Sequence, residues 1–479
     1  MQGGSLDRKA LGIWPVAFQS VTFMAPGAAI AYSIYISAQY AGAALSLSVV
    51  LALIGAVLTA VSIGELAHVL PSAGSFYTYS SRTLGSGTGF VVGWAYSFVS
   101  LLTAPMIYLI FGFFVANIIQ EYLRLNIPWF IWVLLAAALV TYLTYHRVST
   151  SARTGMWLGA FEVAVFTVLS ITLIIHAGSH NTLAVFNPHN ALVTTFGGFG
   201  GVFQGMIYCI QAFVGFEAAV ALSEETGDPK NVTKAVVAAT ALIGVLYVLS
   251  TYAATVGWGL GNMKTFFANP DPWHVLAVGV WGVGWIAVFL AVANSFIANT
   301  NASSTAGTRM LFAMGRTGAL PERFATVHPV FRTPSVAVIF QGILAVVVAF
   351  LLGFWIAPMN GYVMLGTLVT VTMICVYIVT NIACIVYYAT EGRSRRNIFK
   401  HIVAPILGIA FFLPPLFATV YPVPNYPANF AAPIIVFWLV LGVVLFFFLR
   451  ARRPDAIKAA GRVFIDEGEV ASPPPVQAD

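Results

Sequence analysis

Charge is what this chain has least of. Only 8% of its 479 residues are Asp, Glu, Lys or Arg, where a soluble domain carries about a quarter. With 59% hydrophobic residues, so thin a charged surface excludes a water-soluble globule. It also excludes disorder, which needs high charge and little hydrophobicity. A bilayer is the solvent left. Cysteine is almost absent as well. Cys209, Cys375 and Cys384 stand in apolar runs without metal-ligand spacing, so they read as small core residues. The chain holds no Gly-x-x-x-x-Gly-Lys loop and no Gly-x-Ser-x-Gly elbow, and its single His-x-x-x-His spacing, His176 and His180, falls at a span end. Nucleotide-driven pumping and membrane-embedded enzymes lose their usual machinery, and no cofactor or metal is called for. A channel needs a continuous polar pore, and only isolated polar groups are present.

Long apolar runs are what the chain has in excess. A helix needs about 20 apolar residues to cross ~30 Å of hydrocarbon. Twelve runs qualify, at about 14–38, 43–69, 85–119, 128–146, 153–177, 199–222, 232–259, 278–304, 334–355, 360–388, 402–421 and 429–450. The third is long enough to tilt. With the N-terminus in the cytoplasm, 20 of the 22 lysines and arginines fall in cytoplasmic segments. Only Arg124 and Lys264 fall outside. The positive-inside rule thus supports both the count and the orientation, and it explains the net charge of +6 without nucleic acid. Residues 1–13 are expected to be cytoplasmic. Arg8 and Lys9 lead into an apolar stretch with no small-residue cleavage site, so no cleaved signal is expected. Residues 451–479, polar and holding Pro473, Pro474 and Pro475, are expected to form a disordered cytoplasmic tail.

Two of the spans carry interruptions. The first reads Phe23-Met24-Ala25-Pro26-Gly27-Ala28-Ala29 at its middle. Pro26 has no N–H and Gly27 tolerates unusual dihedrals, so the pair favours a break at membrane depth. The sixth reads Gln211-Ala212-Phe213-Val214-Gly215-Phe216-Glu217. Unpaired backbone costs several kcal/mol in hydrocarbon, so such breaks persist only where protein or a wet cavity satisfies them. One break lies in the first of spans one to five, the other in the first of spans six to ten. That pairing points to an inverted-repeat transporter with its site at the midplane. The half-helix after Gly27 would aim N–H groups at a substrate carboxylate. The alternative is a proline kink and a helix-packing glycine.

Four patterns in order carry a family resemblance. They are the break at Gly27; Glu65 followed by Pro71-Ser72-Ala73-Gly74-Ser75-Phe76-Tyr77-Thr78-Tyr79 and Gly93-Trp94; Gly215-Phe216-Glu217 followed by Glu224-Glu225-Thr226 and Asp228-Pro229; and Arg309 to Arg316 with Gly318, Leu320 and Pro321. The chain resembles the amino acid–polyamine–organocation (APC) superfamily of secondary transporters over spans one to ten. The resemblance implies an all-α polytopic membrane protein of about twelve helices. Its core, 14–388, would be a five-plus-five inverted repeat of about 14–177 and 199–388, and 402–450 would add two accessory helices. It implies that spans one, two, six and seven move against three, four, eight and nine. By similarity, the backbone of Met24, Ala25, Pro26, Gly27, Ala28 and Ala29 would hold a substrate carboxylate. Gln211, Phe213, Gly215 and Phe216 would hold its amino group and gate its side chain, Phe216 foremost. Many relatives carry a short polar or second small residue near Pro26. Here Pro26 cannot donate, so capture would lean on the N–H groups of Gly27, Ala28 and Ala29.

Ionisable groups inside the spans are costly and mark function or an internal partner. Glu217 reads either as a proton-responsive switch or amine contact, or as an acid that bonds the broken backbone. Glu162, aligned through Ser151-Ala152-Arg153, falls where some proton-coupled relatives of the resembled family place a lysine. It would carry the coupled proton or ligate a cation; otherwise it pairs with a loop arginine. In the eighth span Asn294, Asn301 and Thr305 share a helix face, and Ser295, Asn299 and Ser303 form a neighbouring row. Either row can simply bond other helices. As a functional wall facing Glu162, Asn301 is the choice. Trp94 and Tyr96 are further candidates for the cavity lining. The expected function is a cell-membrane symporter that imports amino acids by alternating access, with protons or another cation. A polyamine carrier or an amino acid exchanger is the runner-up. Few midplane acids tilt the choice toward a solute with one carboxylate and one amine.

Overall fold

The computed structural model describes residues 13–70, 75–146, 152–222, 230–316, 321–331 and 333–452. Pro71 to Gly74, Glu224 to Pro229, Gly318, Leu320 and the tail from Pro454 lie outside these residues, as do Arg8 and Lys9. Among the described residues all regular structure is helical. Ten helical stretches are long and apolar enough to cross a membrane. The first, Ala17–Val69, folds back at Gly42 and makes two crossings. Trp129–Tyr145 is a shorter apolar helix between the third and fifth spans. With the first stretch counted as two crossings and the shorter helix as one, the helices match the twelve expected passes, and the protein is a multi-pass membrane protein.

Enclosure differs among the spans. The most apolar stretch of Ser86–Leu123 is 78% buried and that of Thr195–Val220 is 83% buried, against 17% for Ala428–Ala451. The third and sixth spans thus form the centre, and the twelfth faces outward. The third, seventh and tenth spans carry buried threonines. Thr103, Thr251, Thr370 and Thr380 return their hydroxyls to carbonyls one turn back, which satisfies these four within their own helices.

The accessory helices both pack on the tenth span and reach different neighbours beside it. Phe399–Phe417 lies against the second span. Lys400 and His401 bond the two carboxylate oxygens of Glu65 at 2.9 and 3.1 Å, and Tyr388 stacks on His401. The twelfth span meets the third through Trp438, stacked on Trp94 at 4.4 Å. Trp94 Nε1 also donates to the Trp438 carbonyl at 2.9 Å. Trp94, a sequence candidate for the cavity, is an anchor for the twelfth span instead.

Candidate functional site

The first span stops at Met24 and restarts at Pro26. Ala25 between them is left-handed, with φ 48° and ψ 66°, a conformation that costs an L-residue about 1–2 kcal/mol. Ala25 N–H still reaches the Val21 carbonyl at 3.1 Å, and Ala29 N–H resumes the ladder on Ala25 at 2.9 Å. Pro26 can offer Thr22 nothing. The sixth span ends at Phe213, and Gly215 then takes φ 110°. A Cβ on Gly215 would lie 2.2 Å from Phe23 Cδ1, so only glycine lets the two breaks touch.

Side chains from other spans satisfy the exposed backbone. Ser20 Oγ donates to the Phe216 carbonyl at 2.5 Å and accepts from Ala219 N–H at 3.1 Å. Tyr247 OH lies 3.0 Å from the Ala212 carbonyl and 3.4 Å from that of Met24. Asn299 Nδ2 donates to the Phe23 carbonyl at 2.6 Å. Glu217 closes on its own break: its Oε2 accepts from Gly215 N–H at 3.0 Å and from Tyr377 OH at 3.1 Å.

A cavity of about 50 Å³ lies between the breaks. Of the ten expected substrate contacts, Met24, Ala25, Ala28, Ala29 and Gln211 line it, and Pro26, Gly27, Phe213, Gly215 and Phe216 do not. Phe213 turns back onto Tyr247 and Phe216 onto Tyr377, both fully buried. Phe216 therefore does not cap the cavity in this conformation. Ala212 and Val214 take the facing positions, because the chain leaves helical geometry at Val214. Tyr96 is also off the lining, packed on Phe76. Sequence reasoning missed Ser33, Thr103, Phe296 and Tyr362, and placed Asn299 only in a polar row; all five line the cavity. Isolated hydroxyls in apolar helices gave no signal for Ser33, Thr103 and Tyr362, and Phe296 is one of many phenylalanines.

Among the described residues the lining contains no Asp, Glu, Lys, Arg or His. Its polar groups form a short network. Ser33 Oγ meets Tyr362 OH at 2.8 Å, and Gln211 Nε2 donates to Tyr362 OH at 3.3 Å. Gln211 Oε1 and Asn299 Oδ1 are buried and have no hydrogen-bond partner among the described residues. Buried acceptors without donors are costly. A solute group with several N–H donors and a positive charge suits both.

Glu162 sits beside this cavity, behind the first break. Its carboxylate accepts from Gly27 N–H at 3.3 Å, from Ser295 Oγ at 2.7 Å and from Asn294 Nδ2. Gly27 is close enough to the eighth span that a Cβ would lie 3.0 Å from the Ala291 carbonyl oxygen. Two expectations are corrected here. Asn301 does not face Glu162; it accepts from Thr144 Oγ1 at 3.2 Å. It shares a face with Asn294 but lies two turns further along, where the fourth span packs. The N–H groups of Gly27 and Ala29, expected to await a carboxylate, are already held by Glu162 and by Ala25.

An all-helical membrane protein with a small buried cavity between two helix breaks is the architecture of a solute carrier. The family model for amino acid permeases matches residues 16–453, and the chain belongs to that family. It is 26% identical over 414 residues to the low-affinity putrescine importer PlaP of Escherichia coli K12, covering 84% of this chain and 86% of that protein. It is 26% identical over 457 residues to the branched-chain amino acid permease BcaP of Bacillus subtilis, covering 89% and 91%. It is 28% identical over 370 residues to the vacuolar cationic amino acid transporter 2 of Arabidopsis thaliana, covering 73% and 57%.

Proposed function

We propose that this permease imports neutral amino acids with apolar side chains across the cell membrane, its termini in the cytoplasm, coupled to protons. Its two five-helix halves act as an inverted repeat that alternates access to the cavity. The carrying observation is the cavity's polarity. Gln211 Oε1 and Asn299 Oδ1 offer two bare acceptors, enough for one ammonium. Phe23, Met106, Ile107, Ile110, Phe296 and Val369 supply an apolar wall. A second ammonium, as in putrescine or lysine, would find no carboxylate in the lining, and burying it unpaired is expensive.

Glu162 is the proposed proton carrier. As an ionised group it gathers donors from the first break and from the eighth span, so it ties a moving part to a static one. Protonation turns one oxygen into a donor and removes the charge that holds the three donors. The tie loosens, and the first span is released from the eighth. Glu217, bonded to its own break, serves as a clamp on the sixth span.

Uptake of radiolabelled leucine, valine, methionine, lysine and putrescine into proteoliposomes, with and without an inward proton gradient, tests the reading. Apolar neutral amino acids should accumulate only with the gradient. Preference for lysine or putrescine would overturn the substrate class, and accumulation indifferent to the gradient would overturn the coupling.

A further inference from the structure

A second, smaller cavity lies beyond the central one. Asp271, His274, Trp273, Trp285, Phe114 and Phe289 are its main walls, and its volume is about 10 Å³, room for a single water-sized group. Asp271 is buried and caps the helix Pro272–Trp281, with Oδ1 accepting His274 N–H at 3.2 Å. Its own N–H donates to Asn269 Oδ1 at 2.8 Å. Its Oδ2 has no hydrogen-bond partner among the described residues. Burial, with a smaller contribution from Glu121, pushes the Asp271 carboxyl up to about 7. Tyr32 OH is likewise buried without a hydrogen-bond partner among the described residues, and the other polar groups around Asp271 are engaged. His274 Nε2 meets Tyr122 OH at 2.7 Å and its Nδ1 lies 3.8 Å from Glu121. Tyr35 OH is held by the carbonyls of Phe267 and Asn269 at 2.5 and 2.7 Å.

Ring contacts link the two cavities. Phe296 lines the central one and Phe114 the outer one. Tyr32 lies between them, 5.7 Å from Phe296 and 5.6 Å from Phe114. A carboxylate oxygen without a donor, among aromatic rings, fits an ammonium group: the oxygen takes an N–H and the ring faces take the remaining charge. We propose that Asp271 and its aromatic walls form an outer antechamber that binds the ammonium group of an arriving substrate before the ring partition opens. This rests on the import reading and on the outward placement of residues 260–277 that the charge distribution implies.

The test is two-sided transport kinetics on the full chain in oriented proteoliposomes. Asp271→Asn keeps an acceptor for the helix cap and removes the charge. It should raise the KM for entry from the outer face about tenfold, with the inner-face KM unchanged. Trp285→Leu, which leaves the cap alone, should raise the outer KM several-fold and serves if the first variant fails to fold. External methylammonium should raise the outer KM of the wild type and leave Asp271→Asn unaffected, and potassium should not compete. An unchanged outer KM in a folded Asp271→Asn would overturn the antechamber, as would equal rises at both faces or equal competition by potassium. A wild type that moves no amino acid from either face would instead overturn the import reading.

Discussion

Two side chains decide most of what the cavity can do, and both are amides. Gln211 and Asn299 each spend their NH2 on the protein, on Tyr362 OH and the Phe23 carbonyl, and keep a carbonyl oxygen bare. Gln211→Leu should therefore raise the substrate KM by about 10–100-fold, the worth of one bond to a charged group, in a zero-trans uptake assay. Glu162→Gln makes a sharper distinction. Gln retains one acceptor for Gly27 N–H or Ser295 Oγ but cannot carry a proton. Proton-driven accumulation should fall at least tenfold while substrate exchange, which needs no net proton movement, continues. Full accumulation in the variant would remove Glu162 from the coupling. Glu217→Ala should act on stability instead. It strands the buried Gly215 N–H and Tyr377 OH, at about 1–3 kcal/mol each, read as a lowered melting temperature in detergent.

At the scale of elements, the breaks are where local rules fail together. Ala25 is the one residue of the first break in a left-handed conformation, and no glycine relieves it. Ala25→Gly should raise thermal stability by about 1 kcal/mol and Ala25→Val should lower it by more, measured as shifts in melting temperature. Equal shifts would mean that Ala25 is not strained. The breaks were legible because Pro26 and Gly215 act on the backbone, and backbone signals survive in a bare sequence, whereas Gly27, expected to take unusual dihedrals, is helical and serves the close approach to Ala291. Which residues face the cavity was not. Once a helix is interrupted its rotational phase resets, so Phe213 and Phe216 turned to Tyr247 and Tyr377 while Ala212 and Val214 turned inward. The eighth span failed differently. Its polar face was correct, but periodicity gives the face and not the depth. Asn294 met Glu162, and Asn301, two turns along, met Thr144.

For the whole molecule the question is which side is closed. Tyr32 belongs to the first span, Phe114 to the third and Phe296 to the eighth, so the partition is built from both parts that alternating access would separate. Phe114 also lies 5.9 Å from Phe296 and 5.3 Å from Phe289, which closes the set of rings. Aromatic contacts of this kind contribute about 0.5–1.5 kcal/mol beyond burial. Losing one ring of a three-ring partition should therefore shift its opening by about tenfold without unfolding the protein. Ser33 lines the central cavity just inside the partition and gives a reporter. With Cys209, Cys375 and Cys384 replaced, Ser33→Cys should react slowly with a membrane-impermeant maleimide added at the outer face. Adding Phe114→Ala should speed that reaction about tenfold, and saturating substrate should slow it. A rate unmoved by Phe114→Ala would place the barrier away from these rings, and the two cavities would then be joined already by another route.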